Sequence, residues 1–156
     1  EELEASPGYP SAEALVRGPT AVIECVQDIP CNPCELACPN GAIFVGEPIT
    51  NLPVLYPDRC NACGKCIAIC PGQAIFCVDM TYSEDKATVS FPYEFLPLPS
   101  KGDIVSGVNR AGEVICDAEV VRVLRPKSFD RTAVITVAVP KALAMEVRSM
   151  KRLPGR

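Results

Sequence analysis

The residues able to do chemistry in this chain are its cysteines. Ten stand among 156 residues that contain no histidine. Four of them, Cys60, Cys63, Cys66 and Cys70, share the stretch CNACGKCIAICPG, with a proline directly after the last. An upstream stretch, CNPCELACPNGAIF, supplies Cys31, Cys34 and Cys38. At an offset of 32 residues, Cys31, Cys34, Cys38, Pro39, Ala42, Ile43 and Phe44 meet Cys63, Cys66, Cys70, Pro71, Ala74, Ile75 and Phe76. Seven identities over fourteen ungapped positions mark an internal duplication. The position that matches Cys60 is Asp28, and Cys25 stands three residues before it. Cysteines two residues apart in series close small, strained loops when oxidised, so thiolates on metal in a reducing, cytoplasmic setting fit better than a disulfide framework. Zinc usually takes two CxxC pairs across a longer spacer, which three cysteines in series followed by Cys-Pro do not offer.

The run C-x2-C-x2-C-x3-C-P is the bacterial ferredoxin pattern for a [4Fe–4S] cube. Three cysteines spaced by two residues wrap three corners, and so tight a loop aims backbone N–H groups at the sulfurs. The region from Cys25 to about Asp79 resembles the two-cluster bacterial ferredoxins. That resemblance implies two [4Fe–4S] clusters, each completed by the last cysteine of the other copy. Cys60, Cys63, Cys66 and Cys38 would hold one. Cys31, Cys34, Cys70 and an eighth ligand would hold the other. Cys25 is favoured as the eighth because its thiolate is soft, although the loop to Cys31 must bulge by three residues. Asp28, at the aligned position but with a harder oxygen, is the alternative. A three-iron cluster, or the loss of the first cluster, stays open.

The elements around these residues are expected to be short. Residues 11–18 predict a helix capped by Ser11 and ended by Gly18. Each cysteine loop should lead into a brief helical stretch, ELAC or IAIC, stopped by proline, and then a strand, at 42–45 and 74–78. GEPITNLPVLYPD between the copies has a strand-like centre. After residue 86 β-branched residues take over, with strands expected at 87–91, 103–108, 113–124 and 132–139 and a hairpin turn at 109–112. Ala133, Ile135, Val137 and Val139 share one face, and the longest strand, apolar on both sides, is expected to be covered on both. Pro140 is expected to open a C-terminal helix, KALAMEVRSMKRL. The fold class is therefore α+β. It comprises an N-terminal extension (1–24), a dicluster ferredoxin-like domain (25–86), and a β-rich docking extension, a small antiparallel sheet or partial barrel with a C-terminal helix (87–156). The middle part is expected to close its own core around the clusters.

Composition narrows the function. A net charge of −4 argues against a nucleic-acid binder. No apolar run is long enough to span a membrane, and the opening EELEASPGYPS, which does not begin with Met, is unlike a signal peptide. GVNRAGEV lacks the Lys-Ser/Thr of a phosphate loop. Without histidine there is no imidazole base, so no catalytic residue is expected. Cys77 and Cys116 lie in apolar strands and read as small buried hydrophobes. Lys65 reads as a solvated lysine inside the second loop. Lys141, Arg148, Lys151, Arg152 and Arg156 read as one solvated face of the last helix or a site for an acidic partner. Val147, Met150 and Leu153 read as its packing stripe.

A narrower resemblance rests on IECVQDIPCNPCELACPNGAI, ITNLP, FPYEFLPLPSKGD and KSFDRTAVITVAVP. These stretches look like the small dicluster iron–sulfur subunits of multi-subunit flavoprotein amino-acid dehydrogenases acting on proline, hydroxyproline, sarcosine or opine-like amines, mainly in anaerobes. It implies an electron-transfer subunit, not an enzyme on its own. Such a subunit would sit in a hetero-oligomer with an FAD-containing dehydrogenase subunit and relay its electrons to an acceptor. It also allows a [2Fe–2S] protein or domain in the same assembly. A free diffusible ferredoxin, and a protein whose clusters are only structural or regulatory, are the alternatives.

Overall fold

Two short strands show how the molecule is layered. In β1 (Thr20–Ile23) and β4 (Ile75–Asp79), side chains alternate between two cores. Val22, Phe76 and Val78 point into one, while Ala21, Ile23, Ile75 and Cys77 point into the other. Such alternation is what the two-residue period of a strand dictates when both faces of a sheet are covered. The computed structural model describes residues 2–154.

Four longer strands extend this pair: β5 (Lys86–Tyr93), β6 (Ile104–Val108), β7 (Val114–Leu124) and β8 (Ala133–Pro140). With β9 (Ser149–Met150) they form a seven-stranded antiparallel sheet in the order β1-β4-β5-β8-β7-β6-β9. The sheet curls, so that Val105, Val147 and Met150 from one end share a core with Val22 and Val78 from the other. The expected small antiparallel sheet is present, enlarged by β1 and β4 from before residue 86. At its centre Ser90 faces Thr136 across the β5–β8 pair, and their buried hydroxyls hydrogen-bond at 2.7 Å, which satisfies two polar groups that burial would otherwise leave costly.

The second face carries the cysteine loops. Helices α2 (Pro33–Ala37) and α3 (Lys65–Ile69) pack on each other there, beside a two-stranded ribbon of β2 (Ile43–Phe44) and β3 (Val54–Leu55). Ile67 of α3 meets Phe129 and Val134 in the core beneath. Gly64 begins α3 at φ +81°, and a side chain there would approach the Phe129 ring. Helix α1 (Ala12–Arg17) is capped as expected, with the Ala14 N–H donating to the Ser11 hydroxyl at 3.2 Å. The 109–112 turn is also as expected. Asn109 accepts from the N–H groups of Ala111 and Glu113, and Gly112 takes φ +82°.

Three expectations need correction. The C-terminal helix is absent: residues 141–143 form a single 3-10 turn, after which the chain pairs as β9 with the open edge of β6. The Arg148 N–H donates to the Val108 carbonyl and the Lys151 N–H to that of Ser106, so edge pairing overrides a modest helix propensity. Val147 and Met150 do pack, as strand-end residues rather than a helical stripe. Nor is Arg148 on a solvated face, being only 4% exposed; Arg156 lies outside the described residues. Finally, the doubly covered strand is β8, buried along seven of its eight residues, whereas β7 is buried only at Ala118 and Val120. β8 lies between β5 and β7, under the cysteine layer.

The ranges 1–24, 25–86 and 87–156 share this one sheet. β1 and β4 pair with each other, and β4 pairs with β5 across residue 86. The lead residues are tied in as well, since Ile23 and Leu55 donate to the carbonyls of Gly8 and Pro7. A chain ending at Asp85 would re-expose Val22, Phe76 and Val78 at about 2 kcal/mol each, comparable with the roughly 5–15 kcal/mol that holds a whole domain folded. Such a truncation is expected to recover little of the iron bound by the intact chain, and iron analysis beside circular dichroism checks it.

Candidate metal centre

Each cysteine copy ends in the same turn. Cys38 caps α2 and Cys70 caps α3. Three residues beyond each, Gly41 and Gln73 take the left-handed region at φ +63° and +52°. The next N–H then turns back on the sulfur: Ala42 N–H donates to Cys38 Sγ at 3.3 Å, and Ala74 N–H to Cys70 Sγ at 3.4 Å. The duplication seen in sequence is thus repeated in hydrogen bonds. Proline after each cysteine supplies the extended preceding residue that this turn needs.

The two terminal cysteines do not stay with their own copies. Cys70 lines one cavity with Cys25, Cys31 and Cys34. Cys38 lies within electrostatic reach of Cys66, as do Cys60 and Cys63. Cys70 thus shares a cavity lining with Cys25, Cys31 and Cys34, whereas Cys66 has Cys60, Cys63, Cys77 and Cys38 around it, which gives two sets of thiols. Strand β1 connects them. At one end the Ala21 N–H donates to Cys60 Sγ at 3.4 Å, and Cys25 follows the other end, four residues of extended chain or about 13 Å along. Asp28, by contrast, is exposed, and it lines no cavity with Cys31, Cys34 and Cys70.

Burial and mutual repulsion set the electrostatics of both groups. Burial, then the neighbouring Cys70 and Cys25 thiols, raises Cys31 above the ordinary thiol value. Burial and Cys70 push Cys34 up to about 11. Cys66 is raised further, by burial and then by Cys60 and Cys63. Sites where several thiolates crowd together in an apolar setting lack positive charge, and a metal centre supplies it while displacing the thiol protons. Among the described residues no three Cys, Asp or Glu converge closely enough for a single ion; the first group instead borders a cavity. Soft donors, four to a group, with N–H groups turned onto three of the sulfurs, fit an iron–sulfur cube.

Cys77 and Cys116 do not line the cavity of Cys25, Cys31, Cys34 and Cys70. Cys77 is buried in β4 behind Cys60 and Cys63, and burial pushes its thiol up to about 12. Cys116 on β7 is half-buried, less covered than expected, and burial raises it too. Lys65 is exposed, as a solvated lysine would be. What sequence reasoning missed is a charged knot beside the first group. The carboxylate of Glu24, next to Cys25, accepts from Arg148 Nε at 2.8 Å and from Arg110 Nε at 3.0 Å. Burial would push Glu24 up, but hydrogen bonds and charge from Arg110 and Arg148 outweigh it, holding the carboxyl below its ordinary value. No local signal links these residues, since 124 positions separate Glu24 from Arg148.

Cys77→Ala and Cys116→Ala are each expected to keep the full complement of about eight iron and eight sulfide per chain, with a stability cost near 1 kcal/mol. Anaerobic metal analysis and denaturant unfolding of the holoprotein check both.

A family model described as a 4Fe-4S dicluster domain matches residues 24–74. Ferredoxin of Saccharopolyspora erythraea is 34% identical over 98 residues, covering 60% of this chain and 83% of that protein. Ferredoxin of Streptomyces griseus is 32% identical over 102 residues, covering 65% and 90%. One subunit of the ion-translocating oxidoreductase complex of Methanosarcina acetivorans is 47% identical over 47 residues, 30% of this chain, which spans only 17% of that protein's length. No solved structure matches the chain. The dicluster match and the ten cysteines mean two [4Fe–4S] clusters, and the role is iron–sulfur electron transfer. By its duplicated thiol loops and its alignment with whole ferredoxins, the chain belongs to the bacterial-type [4Fe–4S] ferredoxins.

Proposed function

We propose that this chain is a fixed electron-transfer subunit in which Cys25, Cys31, Cys34 and Cys70 hold one [4Fe–4S] cluster and Cys38, Cys60, Cys63 and Cys66 hold the other. When bound, each cube supplies a one-electron couple. The observation that carries the reading is the placement of the two thiol groups at the two ends of β1, inside one sheet-backed unit. The chain's own residues fix the spacing between the groups through β1–β4 pairing, keep water from the buried thiols, and turn N–H groups onto Cys38, Cys60 and Cys70. One cluster would suffice to stabilise a fold, so two held at fixed separation favour conduction over a purely structural or regulatory role.

The electron donor in this reading is an FAD-containing dehydrogenase subunit acting on an amino acid or related amine in the cytoplasm, with the β-rich part after residue 86 as the docking side. Support comes from the sequence stretches that resemble such dicluster subunits. The Methanosarcina relative, named as a subunit of an oxidoreductase complex, also supports it. Exposed apolar side chains beside the thiols, Ile29, Leu36 and Ile69, suit a partner that must come close. Among the described residues no helix is long and apolar enough to cross a membrane. One observation favours a second reading, a diffusible carrier: the Saccharopolyspora and Streptomyces relatives, named simply ferredoxin, align over most of their length.

Anaerobic purification of the native protein separates the two readings. A fixed subunit is expected to elute in an assembly with stoichiometric flavin; elution alone near 16.7 kDa would make it a free carrier. The ligand assignment has its own test. Cys25→Ser is expected to lose one cluster, leaving about four of eight iron, or to convert it to a three-iron cluster, leaving about seven, while Asp28→Ala keeps both. EPR of the reduced and oxidised variants reads the difference, because a three-iron product has a distinct signal. The reverse pattern would give the eighth position to Asp28.

A further inference from the structure

Positive charge is unevenly spread along this chain. No Lys or Arg stands between Arg17 and Arg59, a stretch that holds the whole first cysteine copy together with Glu24, Asp28, Glu35, Glu47 and Asp58. The stretch from Arg122 to Arg131, by contrast, carries Arg122, Arg125, Lys127 and Arg131 against Asp130 alone, in a chain of net charge −4. All four cations are exposed. Among the described residues none of them forms an ion pair.

The fold sets this loop against the second thiol group. Phe129 ends a 3-10 turn (Lys127–Phe129) and is buried in one core with Ile67 of α3. A side chain at Gly64 would meet its ring at 3.7 Å. Gly64 lies between Cys63 and Cys66, and Lys65 beside it adds a fifth exposed cation without an ion pair among the described residues. Cross-strand register places Arg122 in the row Cys77–Ser90–Thr136–Arg122, and its charge reaches Cys77, which neighbours Cys60 and Cys63. The loop is fixed rather than loose. The Asp130 N–H donates to the Lys127 carbonyl at 3.1 Å and the Thr132 N–H to that of Phe129 at 3.0 Å. Asp130 and Arg131 both take the left-handed region, at φ +47° and +70°, a conformation that non-glycine residues keep where their surroundings impose it. Glu119 in β7 and Glu94 after β5 are the flanking carboxylates, and neither pairs with these cations among the described residues.

Like charges crowded on one loop repel, so these cations do not serve the fold and suit a ligand of opposite sign. Attraction between unlike charged faces speeds docking and sets its register. A long polyanion such as nucleic acid would also meet the chain's net negative charge, whereas a protein with one acidic patch need not. We propose that Lys65, Arg122, Arg125, Lys127 and Arg131 form a docking surface for a carboxylate-rich face of the protein that exchanges electrons with the cluster held by Cys38, Cys60, Cys63 and Cys66. The proposal rests on the electron-transfer reading and ligand assignment above, and it narrows the docking side after residue 86 to one loop.

Two measurements on the full-length holoprotein test it, with iron and sulfide determined on every sample. In the first, reduced protein is oxidised by ferric–EDTA, an anion, or by hexaamminecobalt(III), a cation, and each probe ion takes one electron from a reduced cube. Arg125→Glu combined with Lys127→Glu is expected to slow the anionic probe about threefold or more at low salt and to speed the cationic one, both effects fading toward about 0.5 M salt. Lys86→Glu combined with Lys141→Glu makes the same change of charge at the opposite end of the β5–β8 pair and is expected to move both rates far less. Arg125→Gln with Lys127→Gln gives the same trend in smaller size should the reversed pair not fold. In the second measurement, the loop variant in the native flavin-containing assembly is expected to release the flavoprotein at lower salt than the wild type, and the control pair is not. Equal rates in the two double variants, or a loop variant that holds the flavoprotein as the wild type does, would overturn the proposal. So would binding of duplex DNA, or of vesicles containing phosphatidylglycerol, that the loop variant loses. If the wild-type chain elutes alone, the fixed-subunit reading fails and the probe rates decide the role of the loop. About four iron per chain in place of eight would instead break the cluster assignment.

Discussion

Crowded thiolates repel one another, and on the proposed assignment the two cysteine copies are arranged to hold eight of them, most of them half-buried, in two groups. A metal centre repays the repulsion only if the sulfurs are already close. On the proposed assignment, the chain brings them close by exchange: Cys38 leaves its own copy for the group of Cys60, Cys63 and Cys66, and Cys70 leaves for the group of Cys25, Cys31 and Cys34. Neither group can be completed by one copy alone. The two α-helical turns must therefore pack against each other, as α2 and α3 do, and a single loop cannot form its site before the other is in place.

Exchange of ligands by itself leaves a thin layer with little apolar area, and small domains are correspondingly hard to stabilise. Here the layer rests on a curled sheet. Phe129 and Val134 from the far end of the sequence lie under Ile67, and Cys77 and Ile75 project up from β4. β8 is buried on both faces because it runs beneath that layer while its other face lies in the larger core. The late strands and the cysteine loops thus share one core residue by residue, which is why a boundary at residue 86 has meaning in the sequence but none in the hydrogen-bonding of the sheet.

Much of this was legible beforehand, and what was not has a common cause. Strands at 87–91, 103–108, 113–124 and 132–139, the Ser11-capped helix and the hairpin at Asn109 all depend on local periodicity and turn chemistry, and all appear. The thiol loops depend on local spacing. The three corrections depend on what lies across space. Residues 141–153 carry a reasonable helical pattern, but β6 has an open edge that takes them instead. The apolar residues on both sides of β7 could not tell that neighbouring β8, not β7, would be central to both cores. Arg148 looked like one more basic residue in a polar tail because the carboxylate that buries it stands at the opposite end of the chain.

The departure of the first copy from the repeat also has a physical reading. In the second copy, Cys60 is reached through a 3-10 turn (Pro57–Arg59) and held against β1 by the Ala21 N–H. The aligned Asp28 has no such strand beside it and stays exposed. A thiol at that position would need a support the fold does not provide. Cys25 is placed differently, directly after β1, with the Glu24 N–H bonded to the Ala74 carbonyl. Its position is fixed by the sheet and not by a cysteine loop. On the proposed assignment, one cluster is held by a self-contained loop of the repeat, whereas the other borrows a ligand from the sheet edge. That ligand follows the buried Glu24–Arg148 pair, so whatever moves the C-terminal strand end also moves the surroundings of that cluster. Two near-identical loops thereby come to have unlike neighbours, a difference that repetition of the cysteine motif could not produce by itself.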